Sequence, residues 1–77
     1  MKKIQILGTG CSKCENLAKN AEEAAKNIGI EYEIIKIKDI TEITNFGVMI
    51  TPALAINDVI KTSGKVLTVS EIEELLK

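Results

Sequence analysis

Apolar residues recur along the chain with two spacings, one typical of strands and the other of helices. Short apolar runs predict strands at residues 3–7, 30–38, 53–57 and 59–63. Apolar residues three or four apart predict helices over residues 12–28 and about 40–46, and a last helix from near residue 68 or 70 to 76. The predicted order of elements is β-α-β-α-β-β-α.

The first predicted helix has one apolar stripe rich in small residues. Its buried face is expected to consist of Cys14, Leu17, Ala18, Ala21, Ala24 or Ala25, and Ile28. Gly29 stands where a left-handed residue ends a helix. Three later pairs have the spacing of a capping box: Asp39 with Glu42, Thr68 with Glu71, and Ser70 with Glu73.

The connections between strands favour a four-stranded mixed sheet with three helices, an α/β fold. The first strand is apolar on both faces, as an inner parallel strand would be, and its helical crossover to the second strand should be right-handed. The second run alternates strictly through Ile34 and then changes phase, which fits either a strand covered on both faces or a bulge. Pro52 should precede the third strand, and Asn57-Asp58 should turn the chain back into an antiparallel edge strand.

Length and charge limit the possible functions. The 77 residues fit a single domain, 1–77, and the formal net charge of −1 with only two aromatic residues argues against a nucleic-acid partner. No apolar run approaches the roughly 20 residues that cross a bilayer, so no membrane partner is expected. We therefore interpret the chain as a cytoplasmic monomer. Tyr32 and Phe46 are expected to pack in the core. Met49 is expected to pack there too, with a place in the lining of a substrate groove as the alternative.

Both cysteines lie in the segment Cys11-Ser12-Lys13-Cys14, where the first strand gives way to the first helix. A Cys-X-X-Cys pair in this position indicates thiol–disulfide exchange. A cysteine at a helix start faces unpaired N–H groups and the positive end of the helix dipole, which favour the reactive thiolate. Lys13 adds a positive charge nearby, and Ser12 is a candidate helix cap.

This pair and the segment Phe46-Gly47-Val48-Met49-Ile50-Thr51-Pro52, in this order of elements, resemble the thioredoxin/glutaredoxin superfamily over essentially the whole chain. The resemblance implies a minimal thioredoxin fold and a protein disulfide oxidoreductase without a bound cofactor. It implies that Cys11 attacks a substrate disulfide and that Cys14 resolves the intermediate. It also implies a cis peptide bond before Pro52 and backbone pairing of Thr51 with the substrate. The implied partners are oxidised proteins and a disulfide reductase that supplies electrons.

The chain departs from the family pattern at several positions. Gly10 replaces the tryptophan before the first cysteine of ordinary thioredoxins, and Ser12-Lys13 replaces their Gly-Pro. The first strand carries Gln5 and no acidic residue, where thioredoxins keep a buried aspartate. The residues that glutaredoxins use to bind glutathione are missing after the fourth strand, so glutathione is a weaker candidate substrate.

Two other functions remain open for the cysteine pair. A structural disulfide closing so short a loop would contribute only about 2 kcal/mol, and it would be poorly maintained in the cytoplasm. A small copper or zinc carrier would also use two thiolates, and Cu(I) accepts two-coordinate sulfur. The metal hypothesis leaves Thr51-Pro52 without a role and does not account for a chain that ends in a helix.

Overall fold

The structure is a computed structural model that describes residues 2–10 and 12–77. Its elements are β1 (Lys2–Leu7), α1 (Ser12–Ile28), β2 (Tyr32–Ile37), α2 (Ile40–Asn45), β3 (Ala53–Ile56), β4 (Val59–Ser63) and α3 (Val69–Leu76). The predicted β-α-β-α-β-β-α order is confirmed, with four strands and three helices. None of the helices within the described ranges is long and apolar enough to span a bilayer.

The four strands form one mixed sheet in the order β2-β1-β3-β4. Strand β1 pairs in parallel with β2 and antiparallel with β3, and β3 pairs antiparallel with β4. The predictions of an inner first strand and an antiparallel fourth strand at the edge are confirmed. Because β1 is central, the residues that follow it reach the middle of one end of the sheet.

Strand β2 is shorter than the predicted range of 30–38, and it contains no bulge. Its register with β1 is unbroken from Lys2 opposite Tyr32 to Leu7 opposite Ile37. The change of phase instead reflects contacts on both faces, since Ile34 and Ile37 pack against two different clusters. The irregularity of the sheet lies between β3 and β4, where the register shifts between Leu54 and Ala55.

Two apolar cores of different size lie on the two faces of the sheet. The broad core, on the face covered by α1 and α3, comprises Ile4, Ile6, Leu17, Ala18, Ala21, Ala24, Ala25, Leu54, Ile56, Leu67, Ile72 and Leu76. The narrow core, on the face covered by α2, comprises Leu7, Ile43, Val48, Ala53 and Ala55. Alternation along β1 and β3 produces this division, because successive side chains of a strand point to opposite faces.

The helix ends follow the predicted signals. Gly29 has φ +69°, and the N–H groups of Gly29 and Ile30 donate to the carbonyls of Lys26 and Ala25, as in a Schellman motif. The Asp39 carboxylate accepts hydrogen bonds from the N–H groups of Thr41 and Glu42 at the start of α2, so this end has the predicted cap, but Glu42 does not complete the predicted capping box. Of the two pairs proposed for α3, Thr68 and Glu71 form the capping box.

Candidate functional site

The loop of residues 8–10 joins β1 to α1 at the end of the sheet, and it forms the centre of the site. Cys11, the predicted attacking cysteine, lies outside the described residues. Ser12 and Lys13 are the first two residues of α1, and both are exposed. Cys14 follows on the buried side of the first turn and is 5% exposed. The helical spacing thus turns Cys14 towards the sheet, as the apolar stripe predicted.

Gly8 is the residue against which the Cys14 sulfur packs. Its N–H donates to the carbonyl of Ile37 (2.9 Å), which extends the β1–β2 hydrogen bonds by one residue. A Cβ atom on Gly8 would overlap the Sγ of Cys14 and would lie 3.9 Å from the Cα of Pro52. Glycine is therefore required for this approach. The sequence interpretation did not single out Gly8, although its place directly after the first strand was a usable signal.

The segment before β3 forms the other wall of the site. The Thr51–Pro52 peptide bond is cis, as the family resemblance implied, and Pro52 is fully buried. The Pro52 carbonyl accepts a hydrogen bond from the N–H of Gly64 (2.8 Å), which ties this segment to the end of β4. Thr51 is exposed beside it. The described part of the predicted site, from Ser12 to Cys14 and Thr51 to Pro52, thus converges at one end of the sheet.

An apolar groove of about 420 Å³ runs beside this wall. It is lined by Thr9, Ile40, Ile43, Thr44, Val48, Met49 and Thr51. The expectation that Met49 packs in the core is wrong, because its side chain is 97% exposed. Tyr32 and Phe46, in contrast, are partly buried against the broad and the narrow core, as expected. No described helix or strand covers Met49 in the loop before Pro52. The apolar character of the residue does not by itself predict this exposure.

A second, much smaller cavity lies on the other side of the loop, next to Cys14. Its lining consists of Ile6, Gly8, Gly10, Cys14, Glu15, Lys36 and Lys38. The Nζ of Lys36 lies 3.9 Å from the Oε2 of Glu15. The sequence interpretation missed the two lysines. A signal was present, because residues two apart at the end of a strand share one face.

Gln5 occupies the strand position at which an acidic residue was noted as missing. It is 4% exposed, and its amide bonds to Asp58 twice, donating to Oδ1 (2.7 Å) and accepting from the backbone N–H (2.8 Å). Asp58 and Asn57 have φ of 69° and 51°, as in a tight hairpin turn. Gln5 therefore holds the β3–β4 turn.

A three-helix, four-stranded fold with a buried cysteine in the first turn of α1 and a cis-proline beside it defines a thioredoxin fold. Residues 2–77 match the family model described as a thioredoxin domain. The chain is 45% identical over 76 residues to a thioredoxin of Methanothermobacter thermautotrophicus, covering 99% of both proteins. It is also 45% identical over 74 residues to a thioredoxin of Methanocaldococcus jannaschii, covering 96% of this chain and 85% of that protein.

The chain therefore belongs to the thioredoxin family. It is a thiol–disulfide oxidoreductase with protein substrates and a reductase as general partners, as family membership implies. Among the described residues, no group of three or more histidine, cysteine, aspartate or glutamate side chains is placed to hold a metal ion.

Proposed function

We propose that the chain exchanges disulfide bonds in other proteins through Cys11 and Cys14. The thiolate of Cys11 attacks a substrate disulfide, forming a mixed disulfide and releasing one substrate sulfur as a thiolate, which takes up a proton. Cys14 then loses its proton and attacks the Cys11 sulfur. The second substrate sulfur leaves as a thiolate and is protonated, so the substrate is reduced and the Cys11–Cys14 pair is oxidised.

The observation that carries this proposal is the placement of Cys14. Its sulfur packs against Gly8 at the loop that leads into the Cys-X-X-Cys segment, and Gly8 also adjoins Pro52. Burial protects Cys14 from outside disulfides, and the three-residue spacing of the two cysteines in the sequence suits closure of a Cys-X-X-Cys disulfide. A buried second cysteine suits a resolving role and not an attacking one.

The apolar groove supports a protein substrate. Its lining includes Thr9 and Thr51, which adjoin the cysteine loop and Pro52, and the exposed side chain of Met49. A chain segment flanking the substrate disulfide can therefore lie along this groove. The Thr51 backbone is the proposed pairing site for that segment. Methionine suits such a surface because its flexible thioether adapts to different apolar partners. Ser12 and Lys13, exposed at the start of α1, are proposed as supporting residues beside Cys11.

The remaining features of the proposal concern the protein as a whole. We propose a single domain over residues 1–77 that acts as a monomer in the cytoplasm, where thiols are kept reduced and disulfides serve catalysis. No bound cofactor is required, because the electrons pass between sulfur atoms. Oxidised proteins are the proposed substrates, a disulfide reductase is the proposed donor, and neither nucleic acid nor membrane is a proposed partner.

Trapping of the mixed disulfide tests the assignment of the two cysteines. Cys14→Ser should accumulate a covalent complex with an oxidised protein through Cys11, whereas Cys11→Ser should not. Non-reducing electrophoresis and mass spectrometry of the complex provide the measurement. Equal trapping by both variants would contradict the assignment. If neither variant traps substrate and both lose Cu(I) or Zn²⁺ binding equally, a metal carrier explains the cysteine pair better.

A further inference from the structure

The small cavity beside Cys14 is lined by charged side chains from α1 and β2. Its volume is about 10 Å³, which is room for the centre of about one water molecule. Two of its lining residues, Lys36 and Lys38, lie two apart in sequence, so they point to the face of the sheet on which α1 packs. Cys14 is buried at this cavity, whereas the side chains of Lys36 and Glu15 are about half exposed, so solvent partly screens their effect on the thiol.

The two ammonium groups have different neighbours. Lys36 is held at the cavity by Glu15, with 3.9 Å between the Nζ and the Oε2. The Nζ of Lys38 lies 3.9 Å from the place that a Cβ on Gly10 would occupy. Among the described residues, Lys38 pairs with no carboxylate. The glycine thus leaves space for a positive charge next to the cysteine loop.

We propose that Lys36 and Lys38 act as positioning residues that stabilise the thiolate of Cys14 and so accelerate the second step of exchange. This inference rests on the proposed function, in which Cys14 is the resolving cysteine. A buried thiol resists ionisation because the charged form loses its hydration. Positive charge at the cavity opposes that effect and raises the fraction of Cys14 that can attack.

The other charged group at the cavity does not reverse the sign. Glu15 on α1 contributes one negative charge, while Lys36 on β2 and Lys38 directly after this strand contribute two positive charges. The β1 residue and the loop residues that line the cavity are Ile6, Gly8 and Gly10, and Pro52 adjoins Gly8 on the remaining side; none of these side chains ionises. The described side chains that line the cavity thus sum to one net positive charge. That charge favours the thiolate at neutral pH.

Stopped-flow reduction of the neutral disulfide 2,2′-dithiodipyridine separates the two steps. Attack by Cys11 releases one thiopyridone, and resolution by Cys14 releases the second. Lys36→Met and Lys38→Met should each slow the second release about two- to fivefold at pH 7 and leave the first release nearly unchanged. Lys38→Arg keeps the charge and should retain the rate. Lys26→Met, which breaks the exposed Glu22 pair on α1 (3.3 Å), is the matched control.

The pH profile distinguishes an electrostatic role from a structural one. The second-step rate should rise with pH as the thiol ionises, and an electrostatic role predicts that the lysine variants need a higher pH than wild type to reach the same rate. A second step that is unchanged at pH 7, or a slowing that is the same at every pH, would overturn the inference. Failure of the proposed function would look different, because wild-type protein would then give no second release, or Cys14→Ser no first release.

Discussion

The two faces of the sheet differ in how completely they are covered, and the apolar groove of the site lies on the less covered one. Among the described residues, the broad core under α1 and α3 contains twelve buried apolar side chains and the narrow core under α2 only five. The narrow side also exposes Ile40, Met49 and Ile50. The comparison suggests a division of roles, in which the broad core supplies stability and the narrow side leaves apolar surface for a partner.

A matched pair of leucines tests this division most strongly. Leu54 in the broad core and Leu7 in the narrow core are both fully buried strand residues. Leu54→Ala should lower the free energy of unfolding by about 4 kcal/mol, and Leu7→Ala by about 2–3 kcal/mol, because a cavity beside short α2 can collapse more easily. Urea denaturation measures both values. Equal losses would show that the two cores are equally rigid.

Gly8 lies between Cys14, which belongs to α1, and Pro52, which precedes β3. Gly8→Ala places a methyl group on the Cys14 sulfur, so we expect a loss of about 1–3 kcal/mol in unfolding free energy from overpacking, with slower disulfide exchange. The control is Gly29→Ala, at a glycine whose φ of +69° is strained for alanine but where no atom lies within 4 Å of the new methyl group. Gly29→Ala should lose stability through backbone strain and keep its exchange rate. A Gly8→Ala protein with normal exchange would contradict the proposed packing.

The capping box of α3 should make the stability of the protein depend on pH, because Glu71 is ionisable. Thr68→Ala removes the hydroxyl that accepts from Glu71 N–H (3.2 Å) and should cost about 0.5–2 kcal/mol at neutral pH. The hydrogen bond from the Thr68 backbone N–H, followed by the charge of Lys65, lowers the pKa of Glu71 below its ordinary value of 4.5. Its carboxylate therefore contributes stability above that pH, and the contribution is lost as the pH falls through the lowered pKa.

Acid titration of the thermal midpoint measures this contribution. Wild-type protein should lose stability as the pH falls from about 4.5, and Glu71→Gln should show a shallower loss over the same range. Identical acid profiles for the two proteins would contradict the capping interpretation.

Met49 should have the smallest effect on stability and a clear effect on function. Because its side chain is 97% exposed, Met49→Ser should change the free energy of unfolding by less than about 0.5 kcal/mol. The KM for an oxidised protein substrate should rise, while reduction of a small aromatic disulfide stays unchanged. Steady-state kinetics with both substrates provides the measurement. A rise in both KM values would point to the cysteines themselves and not to the groove.

The sequence predicted the broad side of this molecule better than the narrow side. The stripe on α1, the stop at Gly29 and the edge position of β4 follow from periodicity and turn residues, which are local properties. The exposure of Met49 depends on how far α2 extends over the sheet, and no local pattern contains that information. The small cavity could not be predicted from the sequence, because Lys36 and Lys38 approach Cys14 only when β2 and α1 are placed side by side in the fold. The cis bond before Pro52 came from family resemblance, because the general frequency of cis X-Pro bonds favours trans.

The most direct test of the account is to map where a substrate docks on the Cys14→Ser mixed disulfide. Methyl and amide NMR shifts of the trapped complex, compared with those of the free variant, report contacts across both faces of the sheet. The account predicts the largest changes at the groove, around Val48, Met49 and Thr51, with little change at Leu17 or Ile72 in the broad core. Changes concentrated on α1 and α3 or along β4, with the groove unaffected, would contradict it.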